Sequence, residues 1–304
     1  MGLVRNLRIT TLAENLVMTR CLGQWGLALL IELIDAEGDR RKIVFDTGVH
    51  KKSLFYNIRQ LKVDLSDLDC LVISHGHADH TAATVEVTEV AGGLKVYAHP
   101  YTFQPRFVEE KTGKRRRHGV PKDEGIDEIE RVGGEVVLAS DPLEIVPGVW
   151  TTGQIERSVS FERTVSPSKK ERRIIVVNGE EVPDRILDDQ AIWMHVEQLG
   201  VCAITGCAHA GVLNSLHQVR RLSHIDGVYG LIGGTHLIGR PTGYLQQTVE
   251  GLREFKLGLI SPCHCTGFKA MVGLWHAFPE AFLLNFSGRV IDLQKEPREQ
   301  DRVF

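Results

Sequence analysis

The residues with the clearest chemical potential lie in one six-residue segment, His75-Gly76-His77-Ala78-Asp79-His80. It contains three imidazoles and one carboxylate, and its glycine and alanine add almost no bulk between them. Imidazole nitrogen and carboxylate oxygen are ligands that suit zinc, and also manganese or iron. Four such side chains exceed what one tetrahedral ion takes from so short a turn. The segment therefore predicts two adjacent divalent ions, zinc first, of the kind found ~3.5–4 Å apart in metallohydrolases.

The element that must position this segment is the apolar run at residues 70–74, which is short, rich in branched side chains and typical of a buried strand. A strand delivers the ligand side chains to one turn, which favours a metal site over a solvated turn in which histidines cluster by chance. An earlier strand, at residues 42–45, ends in Asp46-Thr47-Gly48. We expect Asp46 to orient a ligand imidazole, and a plain turn or helix cap is the alternative.

Three later strand-like segments also end at a histidine-bearing turn. Their histidines are His209, His236 and His264. Because strand ends meet at one edge of a layered α/β domain, these side chains are predicted to join the first segment at a common site. The other seven histidines have no such setting and are predicted to lie outside it. They are His50, His99, His118, His195, His217, His224 and His276.

The size and charge of the chain limit the function classes. Its 304 residues, 42% of them hydrophobic, suffice for a large core, and we expect a single domain over residues 1–304. A net charge of −3 gives no electrostatic case for a nucleic-acid partner. The N-terminus lacks an export signal, and the apolar run at residues 27–33 is too short to cross a bilayer. These features predict a cytoplasmic protein without a membrane partner. They leave the oligomeric state open, a homodimer included.

Two basic stretches interrupt the strand pattern. The first is an insert at about residues 100–125, and the second spans residues 163–173. Runs of charge are usually solvated loops. The alternative is a mobile flap that gathers a small anionic substrate over the site, since Arg and Lys bind phosphate well.

The six-residue segment, with Asp46-Thr47-Gly48 upstream, resembles the signature of the metallo-β-lactamase superfamily, and the resemblance covers roughly residues 7–293. It implies an α/β fold, a four-layer αββα sandwich with the metals at one edge. By match to the motif, the ligands of the first metal would be His75 and His77. Those of the second would be Asp79, His80 and His264.

The sequence departs from the superfamily pattern in two places. The middle histidine of the family is missing near residues 152–157, and the later bridging aspartate is replaced by Cys207. His209 could supply the absent imidazole, and Asp189 is another source of carboxylate oxygen. A Cys207 thiolate could bridge or ligate the metals, and an ordinary strand-end cysteine is the alternative.

A branch of the superfamily is indicated by three further motifs, Gly206-Cys207-Ala208-His209-Ala210-Gly211, Gly233-Gly234-Thr235-His236-Leu237 and His264-Cys265-Thr266-Gly267-Phe268-Lys269-Ala270. They are similar to motifs of the dihydropterin–ribofuranosylaminobenzene-phosphate synthases. In that reaction a pterin diphosphate loses its pyrophosphate to an aminobenzene ribose phosphate. The branch also contains relatives of undetermined function.

The function favoured by these residues is a dinuclear metal-dependent hydrolase that acts on a small phosphorylated substrate through metal-activated hydroxide. Asp79 would help to orient the nucleophile, and His236 would donate a proton or contact phosphate, with a structural or ligand role as its alternative. Three other functions stay open. They are a transferase that releases pyrophosphate, a non-catalytic metal-dependent ligand sensor, and redox chemistry at iron.

Overall fold

The computed structural model describes residues 2–163 and 171–293 of the chain. The strands of this described part are β1 (Leu3–Ala13), β2 (Ala28–Ile34), β3 (Arg40–Phe45), β4 (Cys70–Val72), β5 (Lys95–Ala98), β6 (Arg106–Glu110), β7 (Arg115–Arg117), β8 (Glu135–Leu138), β9 (Glu144–Val146), β10 (Val149–Thr151), β11 (Glu171–Val177), β12 (Glu180–Pro183), β13 (Ala191–Val196), β14 (Gly200–Thr205), β15 (Gly230–Gly234), β16 (Leu259–Cys263) and β17 (Val290–Asp292). Its α-helices are α1 (Lys51–Gln60), α2 (Ala78–Thr81), α3 (Thr84–Val90), α4 (Ile126–Arg131), α5 (Val212–Ser223), α6 (Thr242–Leu252) and α7 (Phe268–Ala277).

Two β-sheets form the centre of the molecule and are joined through the long strand β1. One sheet contains β17, β1, β2, β3, β4, β5 and β8 in that order, and the other contains β13, β14, β15 and β16, with β9 and β10 beside β13. The first residues of β1, Leu3 and Val4, pair with β13, whereas its later residues pair with β2 and β17. Hydrogen bonding therefore continues from one sheet into the other.

The main core lies between the two sheets because their strands alternate between two apolar faces. On β2, Leu29 and Ile31 belong to the central cluster, whereas Leu30 belongs to the cluster on the outer face. On β14, Ile204 belongs to the central cluster and Ala203 to the opposite outer cluster. This two-residue period is expected of strands that are buried on both faces.

Helices cover the outer face of each sheet. Leu54 and Ile58 of α1 and Val87 of α3 pack on the first sheet. On the second sheet, Leu216 of α5 and Leu274 of α7 take the corresponding place. The layers therefore run helix, sheet, sheet, helix, which confirms the predicted αββα sandwich.

The first basic stretch is a hairpin rather than the expected loop. β6 and β7 form a small four-stranded sheet with β11 and β12, in which Val108 of β6 faces Arg173 of β11. Alternating apolar side chains explain this difference, because Val108, Ile174 and Ile175 are buried there while the arginines of β7 are exposed. Lys169 and Lys170 of the second basic stretch lie outside the described residues.

Across residues 2–163 and 171–293, no helix has the length and apolar character needed to span a membrane. The extent of the domain, residues 1–304, stays a prediction.

Candidate metal centre

The four histidine-bearing turns that the sequence analysis singled out lie together at one edge of the sandwich. β4 ends shortly before His75, and β14, β15 and β16 run parallel and end at the other three turns. The ring centroids of His75 and His80 are 4.2 Å apart, and so are those of His209 and His236. Turns from both sheets thus contribute to one cluster of side chains.

His75, His77 and His209 form a first group of donors. His75 Nε2 lies 3.0 Å from His77 Nδ1 and 3.2 Å from His209 Nε2. Burial, with a further contribution from neighbouring histidines, lowers the pKa of each of the three rings well below its ordinary value. The rings are therefore neutral at physiological pH, which is the state in which imidazole binds a metal.

Asp79, His80 and His264 form a second group. His264 Nε2 lies 3.2 Å from His80 Nε2 and 3.4 Å from Asp79 Oδ2. Burial alone would raise the pKa of Asp79, but the positive charges available on His80 and His264 hold that pKa well below its usual range. The group therefore offers two imidazole nitrogens and one ionised carboxylate.

Cys207 lies between the two groups. Its Sγ is 3.2 Å from His80 Nε2, and it shares a cluster of possible ligand atoms, all within 4.8 Å of one another, with His75 and His80. Burial raises the pKa of the Cys207 thiol well above its ordinary value, and Cys265 raises it further. A thiolate at this position therefore requires a cation close to it.

Asp46 is the central support of the cluster. Its Oδ2 lies 2.6 Å from His80 Nδ1 and accepts a hydrogen bond of 2.7 Å from Ser74 Oγ, and its Oδ1 accepts one from the Ser74 amide. Burial would lower the pKa of His80, but Asp46 and Asp79 outweigh it and raise that pKa to about 9. A proton held on Nδ1 by Asp46 leaves Nε2 directed at the other donors. Gly206 makes room for this packing, since a Cβ there would collide with Ser74.

His264 is fixed from the opposite side by the segment that follows β1. Its amide donates a hydrogen bond of 2.5 Å to Glu14 Oε1, and its Nδ1 lies 3.2 Å from Asn15 Oδ1. The Asn15 amide also donates to the His264 carbonyl oxygen at 3.1 Å. One contact to the ring and two to the backbone therefore fix His264. The sequence pattern did not reveal these contacts because they join positions about 250 residues apart.

Asp189 is hydrogen-bonded to the turn that carries Cys207 and His209. Its Oδ2 accepts a hydrogen bond of 2.7 Å from the Ala210 amide, and burial raises its pKa to about 7. Its Oδ1 is buried without a hydrogen-bond partner in the part of the chain that the structure describes. The hydrogen bond to the Ala210 amide holds the turn that carries His209. That Asp189 also supplies a ligand oxygen stays a prediction.

His236 lies on the outer side of the first group, against His209. Its amide donates to Cys265 Sγ at 3.3 Å, and within the described residues its buried Nδ1 has no hydrogen-bond partner. It shares a cluster of possible ligand atoms with Cys207 and His209. The geometry is compatible with both the proton-donor role and the ligand role considered above.

Four of the eleven non-glycine residues with left-handed backbones in the described part of the chain lie at or beside these turns. They are Asp46, Ala208, His236 and His264, with φ of 61°, 53°, 47° and 52°. Such a conformation is unfavourable for residues other than glycine, and it persists where the surrounding contacts impose it. Two of the four, His236 and His264, carry candidate donor side chains.

The expectation that His118 lies outside the site is wrong. Its ring centroid is 4.6 Å from that of His77, because Gly119 forms an antiparallel bridge with His77 and carries His118 over the first group. Burial and the nearby Arg173 and Arg116 lower the pKa of His118 to about 4. The sequence did not indicate His118 as a site residue because it stands among arginines. Only the folding of the hairpin brings it to the centre.

The donor set fits divalent metal ions. In the described chain the buried His77 Nε2 has no hydrogen-bond partner, although an orphaned buried nitrogen is costly. In the first group, neutral imidazole nitrogens face one another at 3.0 and 3.2 Å, and the ionised carboxylate of Asp79 belongs to the neighbouring group, so the cluster lacks a compensating positive charge at its centre. Bound cations would satisfy these atoms.

Comparison with known proteins agrees with this geometry. The sequence model of the metallo-β-lactamase superfamily matches residues 26–158. The chain is 31% identical, over 95% of its length and 98% of the relative, to the 7,8-dihydropterin-6-methyl-4-(β-D-ribofuranosyl)-aminobenzene-5'-phosphate synthase of Methanocaldococcus jannaschii. It is 30% identical to the uncharacterized protein MJ0448 of that organism, over 88% of this chain and 93% of the relative.

A solved structure described as Tm1679, a metal-dependent hydrolase of the β-lactamase superfamily, superposes with a TM-score of 0.74 at 22% identity, covering 94% of this chain and 98% of that one. At this identity the likeness concerns the fold alone. The sandwich, the donor groups at its edge and the match over nearly the whole length of the synthase lead to one assignment. The chain belongs to the metallo-β-lactamase superfamily, in the branch that includes the M. jannaschii synthase.

Proposed function

We propose that the protein is a dinuclear metal-dependent hydrolase of a small phosphorylated molecule. The observation that carries this proposal is the division of the donors into two groups with Cys207 between them. His75, His77 and His209 would hold one ion, and Asp79, His80 and His264 the other. Two such ions supply Lewis acidity and lower the pKa of water from 15.7 toward ~7.

The residues of the chain have separate roles in this proposal. Asp79 is the carboxylate of the second group, and its low pKa keeps it ionised, so that it would be able to hold an ion and to orient an attacking water by accepting a hydrogen bond. Asp46 and Ser74 keep His80 oriented. His236, whose ring is half-buried and whose Nδ1 has no hydrogen-bond partner within residues 2–163 and 171–293, would donate a proton to the leaving group or contact phosphate.

The hairpin of β6 and β7 would hold the anionic part of the substrate. It lies against the centre through the Gly119–His77 bridge, and its exposed arginines precede His118. Arg116 Nη1 lies 3.5 Å from His118 Nδ1, so this ring is linked to the basic edge. Guanidinium groups at the mouth of the site suit a phosphate.

The test is a combined metal and product analysis of the purified chain and the His77→Ala variant. We expect about two equivalents of zinc or manganese in the wild type, release of inorganic phosphate from phosphoesters, and loss of turnover with reduced metal content in the variant. His195→Ala, a residue of β13 far from the turns, is the control and should retain both. Full activity of His77→Ala would contradict the proposal.

A second candidate is a transferase that releases pyrophosphate from a pterin diphosphate. The name and the full-length match of the M. jannaschii synthase favour it. Pyrophosphate release that requires an aminobenzene ribose phosphate as second substrate would select this reaction over hydrolysis. Binding without turnover would favour a ligand sensor, and two equivalents of iron would favour redox chemistry.

A further inference from the structure

A large apolar groove borders the metal centre at His264 and runs along α7. Its volume is about 870 Å³, and His264 of the second donor group lines it together with Glu14 and Asn15. The walls consist mainly of apolar side chains of α7 and of the segment after it. They include Phe268, Met271, Val272, Trp275 and Phe282.

The apolar side chains of this groove are unusually open to water. Phe268 is 79% exposed and Trp275 is 53% exposed, although both belong to a helix whose Leu274 is fully buried. Ile238, beside the His236 turn, also lines the groove and is 46% exposed. Large apolar residues grouped in this way at a concave surface indicate a binding site.

We propose that this groove binds the aromatic, apolar body of the substrate while the donor groups hold its anionic end. The polar lining residues Glu14 and Asn15 hydrogen-bond to His264 and so lie together beside the second donor group, whereas the rest of the lining is mainly apolar. That order matches a molecule with an anionic head and a flat apolar tail. Trp275 and Phe268 offer ring faces for stacking. The assignment rests on the proposed function, since the anionic head is the part that the metals bind.

A second copy of the chain is the competing occupant, and the shape of the groove disfavours it. The groove is a concavity rather than a flat face, and it includes polar groups of His264, Glu14 and Asn15 beside its apolar walls. Small-molecule sites, by contrast, are concave and mostly apolar, with a few polar groups that fix orientation. The cavity volume lies within the ~300–1,000 Å³ of such sites.

The test compares two phosphonates that share a head group and resist hydrolysis. Binding of 1-naphthylmethylphosphonate and of methylphosphonate to the metal-loaded full chain is measured by calorimetry. We expect the naphthyl compound to bind at least about tenfold more tightly, because its ring leaves water on entering the groove. The Val272→Arg variant should lose this preference and keep its affinity for methylphosphonate. Trp275→Ala should reduce the preference in part.

The matched control is Val90→Arg, which places the same charge on an exposed valine of α3, in the other helical layer. It should keep the full preference for the naphthyl compound. Equal affinities of the wild type for the two phosphonates, or a Val272→Arg variant with its preference intact, would overturn the assignment. The assignment would also be overturned if the wild type sedimented as a dimer and the Val272→Arg variant sedimented as a monomer.

Methylphosphonate binding with and without metal distinguishes failure of the proposed function from failure of the groove assignment. If methylphosphonate bound equally well with and without metal, the metal-centred proposal would be lost. A persistent preference for the naphthyl compound would still support the groove as an aromatic subsite.

Discussion

At the scale of single residues, the centre depends on side chains that hold other side chains in place. Asp46 is not a candidate metal ligand, but it contacts both His80 and Ser74. Ser74 Oγ in turn lies 2.9 Å from His75 Nδ1. One carboxylate therefore controls a ring in each donor group. Outer partners of this kind fix the tautomer and the direction of a ligand imidazole.

The Asp46→Asn variant tests this role. An amide cannot supply the negative charge that favours the proton on His80 Nδ1, so we expect metal affinity to fall by about 10–100-fold. Competition with a chelator of known affinity measures the change. Asp64→Asn, at a solvent-exposed turn, is the control and should bind metal as the wild type does. Unchanged affinity in Asp46→Asn would show that Asp46 is only a turn residue.

Residue types explain why much of this centre could be predicted. Histidine, aspartate and cysteine at the ends of strands are informative because strand ends converge wherever a parallel sheet forms, as β14, β15 and β16 do. His118 could not be predicted in the same way. It approaches His77 through a bridge between segments about 40 residues apart, inside a stretch whose charge suggested only solvation.

At the scale of elements, the basic hairpin is tied to the metal-binding turn by a buried ion-pair network. Arg106 of β6 is 1% exposed and lies 3.0 Å from Asp184 and 2.5 Å from Asp188. Asp188 Oδ2 also accepts a hydrogen bond of 2.7 Å from the Gly76 amide. The network thus joins β6 to the His75–His80 turn.

Replacing Arg106 by Met should destabilise the protein strongly. Asp184 and Asp188 would stay buried with backbone hydrogen bonds but without their cationic partner, and breaking such a buried ion pair costs about 3–5 kcal/mol. Urea unfolding followed by circular dichroism measures the change. Arg172→Met removes an exposed pair with Glu109 and should alter the unfolding free energy by less than about 1 kcal/mol. Similar losses in the two variants would argue against the network.

Helix α5 gives a pH-dependent prediction. Glu162 is buried at its N-terminus and accepts hydrogen bonds from the amides of Leu213 and Asn214 at 3.2 and 3.0 Å. Burial outweighs these bonds and raises its pKa to about 7. An acid with a raised pKa stabilises the folded state below its unfolded pKa, and this contribution is lost as the pH rises through about 7.

The Glu162→Gln variant should lack that dependence. We expect the unfolding free energy of the wild type, relative to the variant, to fall by on the order of 3 kcal/mol between pH 4.5 and pH 8. Urea titrations at several pH values provide the measurement, with Glu89→Gln on the exposed side of α3 as control. A difference that stays constant with pH would exclude Glu162 as the titrating group.

At the scale of the whole molecule, the sandwich was predictable from the resemblance of the His75–His80 segment to the superfamily signature, while continuous apolar runs such as Leu29-Leu30-Ile31 indicated strands buried on both faces. The alternation of Leu29, Leu30 and Ile31 between two apolar clusters repeats across both sheets. The β6–β7 hairpin was not predictable to the same degree. Phe107 and Val108 are a short apolar interruption in a charged segment, and only the pairing of β6 with β11, about 65 residues later in the chain, reveals a strand.

The whole molecule also shows which residue lies where the missing middle histidine is expected. Residues 152–157 contain no histidine, whereas His209, on a turn after β14, has its Nε2 3.2 Å from His75 Nε2. The same turn carries Cys207. The edge of the second sheet therefore contributes to the donor cluster, and we propose that His209 takes the place of the missing histidine.

We propose that His209 completes the first of two metal sites. Elemental analysis of the wild type and of the His209→Ala variant, purified and loaded with zinc in parallel, tests this role. We expect about two equivalents of zinc in the wild type and about one in the variant, because Asp79, His80 and His264 remain. Two equivalents in both proteins, with equal affinity, would contradict it.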